Sequence, residues 1–199
     1  MRKEVLENHS IYLERLDLYK KFGYNIPEER NFILEKASPV EGKILEIGTG
    51  KGYFAMEIAR QGLSFTSTDI SETEQNIARL NLEYFGLERF ATFQLQNGDS
   101  LSFQDRSFDV IFCINAFHHF FHPFQMIEEM IRIKSLTGKI VLSDFSEEGF
   151  LVIDNILASE GRKHEVVSNH FQDIEHYLLE KKFKIEKYNT KLQNTIIAR

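Results

Sequence analysis

The chain has 199 residues, 42% hydrophobic and 27% charged, the make-up of a globule with a sizeable core, which excludes low-complexity disorder. Its net charge of -6 argues against a nucleic-acid partner, because such proteins carry a basic face or stripe, and favours a small-molecule substrate. A single cysteine, Cys113, excludes an internal disulfide and a cysteine-based zinc cluster; with no signal-type apolar segment and no stretch of bilayer length, a cytoplasmic protein without membrane attachment is expected.

In chain order, residues 4–24 place Val5, Leu6, Tyr12, Leu13, Leu16 and Tyr19 at broadly helical spacing, which predicts a first helix. Pro27 followed by Glu28 and Glu29 suits the first turn of a second helix, which stops before Pro39. From residue 43 onward short apolar runs alternate with amphipathic segments, the signature of βαβ units and a parallel sheet. Strands are expected at 43–47, 64–68, 91–96, 110–114 and 139–143. Between them the spacing predicts a helix burying Phe54, Ile58 and Ala59, a helix opened by a Ser71/Glu74 capping box that presents Ile77, Leu80 and Tyr84, and a helix from Pro123 that presents Phe124, Ile127 and Ile131. Residues 144–168 are less regular, with at most one helix near 150–160, and a connection of that length suits a binding loop or lid. A last helix with Phe171, Ile174 and Leu178 in phase precedes two runs, 183–188 and 192–198, that read as a hairpin. The basic run Lys181-Lys182-Phe183-Lys184 is read as a solvated helix end, and Cys113 as a packing residue. The expectation is one domain over 1–199: an N-terminal helical cap (1–40) on a doubly wound, seven-stranded, mostly parallel Rossmann-like sheet (41–199) whose last strand is antiparallel.

The chemistry begins where the first strand ends. Gly48-Thr49-Gly50-Lys51-Gly52 forms a turn between a strand and a helix, where missing side chains let the backbone approach a ligand closely. The dinucleotide fingerprint wants its third small residue one place later, where Tyr53 stands, and this departure disfavours a nicotinamide-dependent oxidoreductase. Asp69 ends the second strand about 20 residues beyond the glycines, where a carboxylate can accept from a ribose diol. Ser71 is free to cap the following helix in its place.

Together these segments resemble the class I S-adenosylmethionine-dependent methyltransferases, from about Lys43 to Arg199. The turn and its strand match the family's first motif; Asp69 matches the ribose-binding acid and Asn97-Gly98-Asp99-Ser100 the segment that meets the adenine. Residues 108–119, from Phe108 through Cys113 to His118 and His119, match the motif at and after strand four. The resemblance implies S-adenosylmethionine as cofactor and S-adenosylhomocysteine as product. It places Glu46 near the methionine ammonium, Gly48, Thr49, Gly50 and Gly52 along that moiety, Ile70 against the adenine and Asp99 under its exocyclic amine, with Gly98, Ser100 and Asn115 completing the site. Each also has a plain structural use: Glu46 as a surface charge, Asp99 as a turn residue, Ile70 as core. Leu136-Thr137-Gly138 replaces the Pro-Gly-Gly turn common before strand five.

His118 or His119 is the expected general base, since each follows a strand that ends at the transferable methyl and imidazole titrates near neutrality. Three histidines, His118, His119 and His122, fall within five positions. They are read without a metal, because paired histidines recur at this place in relatives that need none and no cysteine completes a tetrahedral site. Asp144 and Phe145, the loop to Ser168, and Tyr12, Tyr19 and Tyr24 are the expected acceptor-side elements. Asn115-Ala116-Phe117-His118 stands where methyltransferases acting on adenine or glutamine carry Asn-Pro-Pro-aromatic, so a small-molecule acceptor is expected. A non-catalytic sensor of the same cofactor is the alternative function, and the oligomer is expected to be a monomer or homodimer.

Overall fold

The computed structural model describes residues 1–167 and 171–199; the Ser168 end of the expected acceptor loop lies outside them. Helices α1 (Lys3–Lys21) and α2 (Ile26–Ala37) precede β1 (Ile44–Ile47), α3 (Tyr53–Arg60), β2 (Phe65–Asp69), α4 (Glu72–Tyr84), β3 (Ala91–Leu95) and β4 (Phe108–Ile114). Then come α5 (Pro123–Ile133), β5 (Lys134–Phe145), α6 (Glu147–Ser159), α7 (Phe171–Glu180), β6 (Ile185–Asn189) and β7 (Gln193–Ala198). None of the described helices is long and apolar enough to cross a membrane.

The seven strands stand in the order β3-β2-β1-β4-β5-β7-β6. All pairings are parallel except those of β7, which runs antiparallel to both neighbours, as expected of a last strand closing a hairpin. Side chains of β4 alternate between two cores: Val110, Phe112 and Ile114 pack with α2 and α3, whereas Ile111 and Cys113 pack with α5 and α7. That alternation is why the run reads as continuously apolar: both faces of the strand are covered. Chain order reverses between β1 and β4, which leaves a crevice at their carboxyl ends.

Several helix faces differ from expectation. In α4 the buried residues are Gln75, Ala78, Asn81 and Leu82, while Ile77, Leu80 and Tyr84 are half-buried. Polar side chains can occupy that face because each is hydrogen-bonded: Gln75 donates to the carbonyls of Ser67 and Gln94, and Asn81 to that of Lys51. In α1 the inward face is Val5, Asn8 and Tyr12, with Asn8 donating to Asn81 at 2.7 Å, and Leu6 and Leu13 point to solvent. In α5 Ile127 is buried as expected, but its companions are Met126, Met130 and Ile133 rather than Phe124 and Ile131. No turn separates α5 from β5. Leu136, Thr137 and Gly138 fall inside a register shift of the β4–β5 ladder, where Asp109 accepts a hydrogen bond from the Ser135 hydroxyl.

Candidate functional site

The glycine turn is shaped by its contacts. Gly48 has φ +86°, and a Cβ there would sit 2.4 Å from that of Ala116; Gly52 has φ +78°, and a Cβ would sit 2.7 Å from that of Ala78 in α4. The turn after β4 and helix α4 therefore press on the glycine turn only because both residues lack side chains. Gly50 donates its N–H to Asp69 at 2.8 Å, tying the turn to the end of β2. Beneath it, Glu46 is only 1% exposed and accepts from the Ser67 hydroxyl, which also lies 2.6 Å from that of Thr49. Burial pushes the Glu46 carboxyl up to about 8, so it is held neutral at pH 7 and would ionise on meeting a cation. Glu46, Gly48, Thr49, Gly50 and Asn115 line one 110 Å³ cleft, with Arg30 of α2 at its side. The alternative of Glu46 as a surface charge does not hold.

Both Asp69 carboxylate oxygens are engaged: Oδ2 accepts from Gly50 N–H and Oδ1 from Ser71 N–H, each at 2.8 Å. Ser71 does cap α4, accepting from Glu74 N–H, yet Asp69 orders the same corner. Ile70 is 75% exposed beside it, so the alternative of ordinary core does not hold. After β3, Gly98 is buried where a Cβ would meet the Phe120 ring at 2.5 Å, and Ser100 is exposed. Asp99 Oδ1 is buried with no hydrogen-bond partner among the described residues, and burial raises its pKa. A buried acceptor without a donor and a neutral buried carboxyl above an open cleft suit a ligand bearing an N–H donor at one end and a cation at the other.

The cleft adjoins a larger cavity of 640 Å³. Both are bordered by Arg30, Gly50, Lys51, Tyr53 and Asn115. Asn115, at φ +50°, and Arg30 each donate to the Tyr24 oxygen at 3.0 Å, and the Tyr24 proton goes to the Gln193 amide at 2.6 Å. The far wall carries His118 and His119 from the turn after β4. His118 Nδ1 lies 2.7 Å from Asp144 Oδ1, whose carboxylate also accepts the backbone N–H groups of His118 and Phe145. A carboxylate taking three donors is an acceptor only, so His118 Nδ1 carries a proton toward Asp144, and in the neutral ring Nε2 holds the lone pair. Burial and the neighbouring His118 lower His119 to about 4, and burial lowers His164.

Most of the expected residues thus converge on the carboxyl ends of β1, β2, β4 and β5. Tyr19 and Tyr24 line the large cavity, but Tyr12 does not: it belongs to the core beneath α1, stacked on Tyr53. His122 stands exposed at the N-terminal boundary of α5 and is not part of the cluster of His118 and His119. Two residues at the site have no counterpart in the sequence reading. Arg30 was legible as a charge in phase with Ile26, Ile33, Leu34 and Ala37, the buried face of α2. His164, in the segment after α6, gave no local signal.

A family model described as a methyltransferase domain matches residues 45–142. Among relatives, the methyltransferase GfsG of Streptomyces halstedii is 30% identical over 110 residues, covering 55% of this chain and 40% of that protein. The ubiquinone biosynthesis O-methyltransferase of Vibrio campbellii is 27% identical over 118 residues, covering 59% and 50%. The chain therefore spans about half, or less, of the length of these relatives. Among solved structures, a putative S-adenosyl-L-methionine-dependent methyltransferase from Methanococcus maripaludis aligns with TM-score 0.70 at 18% identity, covering 94% of this chain and 90% of that one. At that identity the likeness is one of fold.

Proposed function

From the premise that residues 45–142 are a methyltransferase domain of the class I type, we propose that this protein transfers a methyl group from S-adenosylmethionine to a small-molecule nucleophile by in-line displacement. One observation carries the proposal. The cleft around Glu46 and the glycine turn adjoins, across Gly50 and Asn115, a second cavity whose 640 Å³ suits a small molecule and whose wall presents a histidine oriented by a carboxylate.

The bound donor supplies a methyl group already activated on a sulfonium, so the protein's work is alignment, exclusion of water and removal of a proton. Glu46 holds the ammonium, and the backbone of Gly48, Thr49, Gly50 and Gly52 lines the methionine part. Asp69 offers its remaining lone pairs to the ribose diol, the exposed Ile70 covers one adenine face, and Asp99 accepts from the exocyclic amine, with Gly98 and Ser100 shaping that end. Asn115 marks the junction of donor and acceptor. His118 takes the acceptor's proton at Nε2 while Asp144 fixes its tautomer and balances the imidazolium; His119, neutral at pH 7, shapes the wall. The protein works in the cytoplasm as one domain, monomer or homodimer, without a nucleic-acid partner.

The test is incubation with methyl-labelled donor and a panel of hydroxy, amino and thiol metabolites. Transfer of label to a panel member supports the proposal. Tight binding of S-adenosylhomocysteine with no transfer across the panel would favour a non-catalytic sensor.

A further inference from the structure

The far wall of the large cavity gathers three imidazoles: His118 and His119 from the turn after β4, and His164 from the segment after α6. Each is held through its Nδ1. That of His118 lies 2.7 Å from Asp144 Oδ1, that of His119 2.9 Å from the Glu165 carbonyl, and that of His164 3.1 Å from Asp154 Oδ1. Carbonyl and carboxylate oxygens only accept, so all three Nδ1 atoms carry protons, which leaves the lone pair of each neutral ring on Nε2. In the neutral rings Nε2 of His118 and Nε2 of His164 then face each other at 3.2 Å as two lone pairs, a contact that needs a shared proton or a metal ion between them. Two acceptors at that distance repel unless a cation lies between. For a tetrahedral ion with nitrogen ligands at about 2.0–2.1 Å, neighbouring ligand atoms stand about 3.3 Å apart. The candidate ligand atoms of the three residues all fall within 4.8 Å of one another.

We propose that the Nε2 atoms of His118, His119 and His164 bind a divalent transition-metal ion of the zinc type, with a fourth position open toward the cavity. An all-imidazole set suits zinc or its neighbours and not magnesium, which prefers oxygen. Three protein ligands with one open position is the arrangement of a catalytic rather than a structural site. The Nδ1 partners fix ring orientation and tautomer in advance, as outer contacts of metal-bound histidines do. Phe145 and Phe150 flank His118 and His164, with ring centroids 5.3–6.3 Å apart, and give the site an apolar border on that side. Sequence spacing points to His122 as the third histidine; the fold supplies His164 instead.

Ion binding stands independently of methyl transfer, whereas the ion's use rests on that reading. An acceptor oxygen in the open position would lose its proton to water with its pKa lowered by the ion, and His118 would serve as ligand in place of base.

The test is titration of chelator-treated, full-length protein with Zn²⁺ by calorimetry and with Co²⁺ by visible absorption. One ion per chain is expected, with the intense visible bands of tetrahedral cobalt. His164→Ala should weaken Zn²⁺ binding on the order of 100-fold while leaving S-adenosylhomocysteine affinity unchanged, which shows that the variant is folded. Absence of stoichiometric binding in the wild type, or equal Zn²⁺ affinity in His164→Ala, would overturn the proposal and leave a proton shared between His118 and His164. If Zn²⁺ binds as described but S-adenosylhomocysteine does not, the metal site stands and the methyltransferase reading falls.

Discussion

Glu46→Gln separates what Glu46 does for the empty protein from what it does for the ligand. In the unfolded chain this carboxyl titrates near 4.5, whereas in the folded protein burial holds it at about 8. Between those values the folded state binds the extra proton, so stability falls as pH rises through the window. At about 1.4 kcal/mol per pH unit, the loss reaches roughly 3 kcal/mol at pH 7 and roughly 5 kcal/mol above pH 8. Glutamine keeps an acceptor for the Ser67 hydroxyl and has no proton to lose. Urea unfolding at intervals from pH 5 to 8 should therefore show Glu46→Gln gaining on the wild type steadily, by about 3–4 kcal/mol across the range. Parallel stability curves would refute the assigned titration. Binding supplies the second half. A ligand ammonium beside Glu46 favours its carboxylate, so S-adenosylhomocysteine binding at pH 7 should release close to one proton, read by calorimetry in buffers of different ionisation enthalpy. Glu46→Gln should bind more weakly and release none.

Asp99→Ala should lower S-adenosylhomocysteine affinity about 10- to 100-fold, the loss of one hydrogen bond to a charged acceptor, without lowering the melting temperature, because Asp99 Oδ1 has no protein partner to lose among the described residues. A large drop in melting temperature would give Asp99 a structural role. Asp69→Ala should lower both affinity and melting temperature, since it also frees the N–H groups of Gly50 and Ser71; unchanged affinity would remove Asp69 from the site. Gly52→Ala adds a methyl 2.7 Å from the Ala78 Cβ at a left-handed φ, costing roughly 2–4 kcal/mol in chemical denaturation; an unchanged midpoint would contradict the close approach.

What was legible in the sequence depended on how locally each feature is encoded. The strands, the terminal hairpin and the glycine turn follow from apolar runs, Gly positions and the Ser71 cap, all decided within a few residues. The α4 face was misjudged because Gln75 and Asn81 are buried by hydrogen bonds to the glycine turn and the strands beside it, contacts that no hydrophobic periodicity encodes. In α1, Asn8 takes an inward position that apolar spacing left blank, since its partner Asn81 is far along the chain. Asp69 and Asp99 were legible through spacing from the turn. The company kept by His118 was not. Its third imidazole lies 46 residues away in an irregular segment, and sequence proximity pointed to His122, whose place at the start of α5 turns it outward.

Calorimetric titration with S-adenosylhomocysteine, and separately with NAD, tests the central claim most directly. The account predicts one S-adenosylhomocysteine bound per chain and no NAD binding, because the turn that admits the methionine part carries Tyr53 where a dinucleotide site needs its third small residue. NAD binding without S-adenosylhomocysteine binding would contradict it.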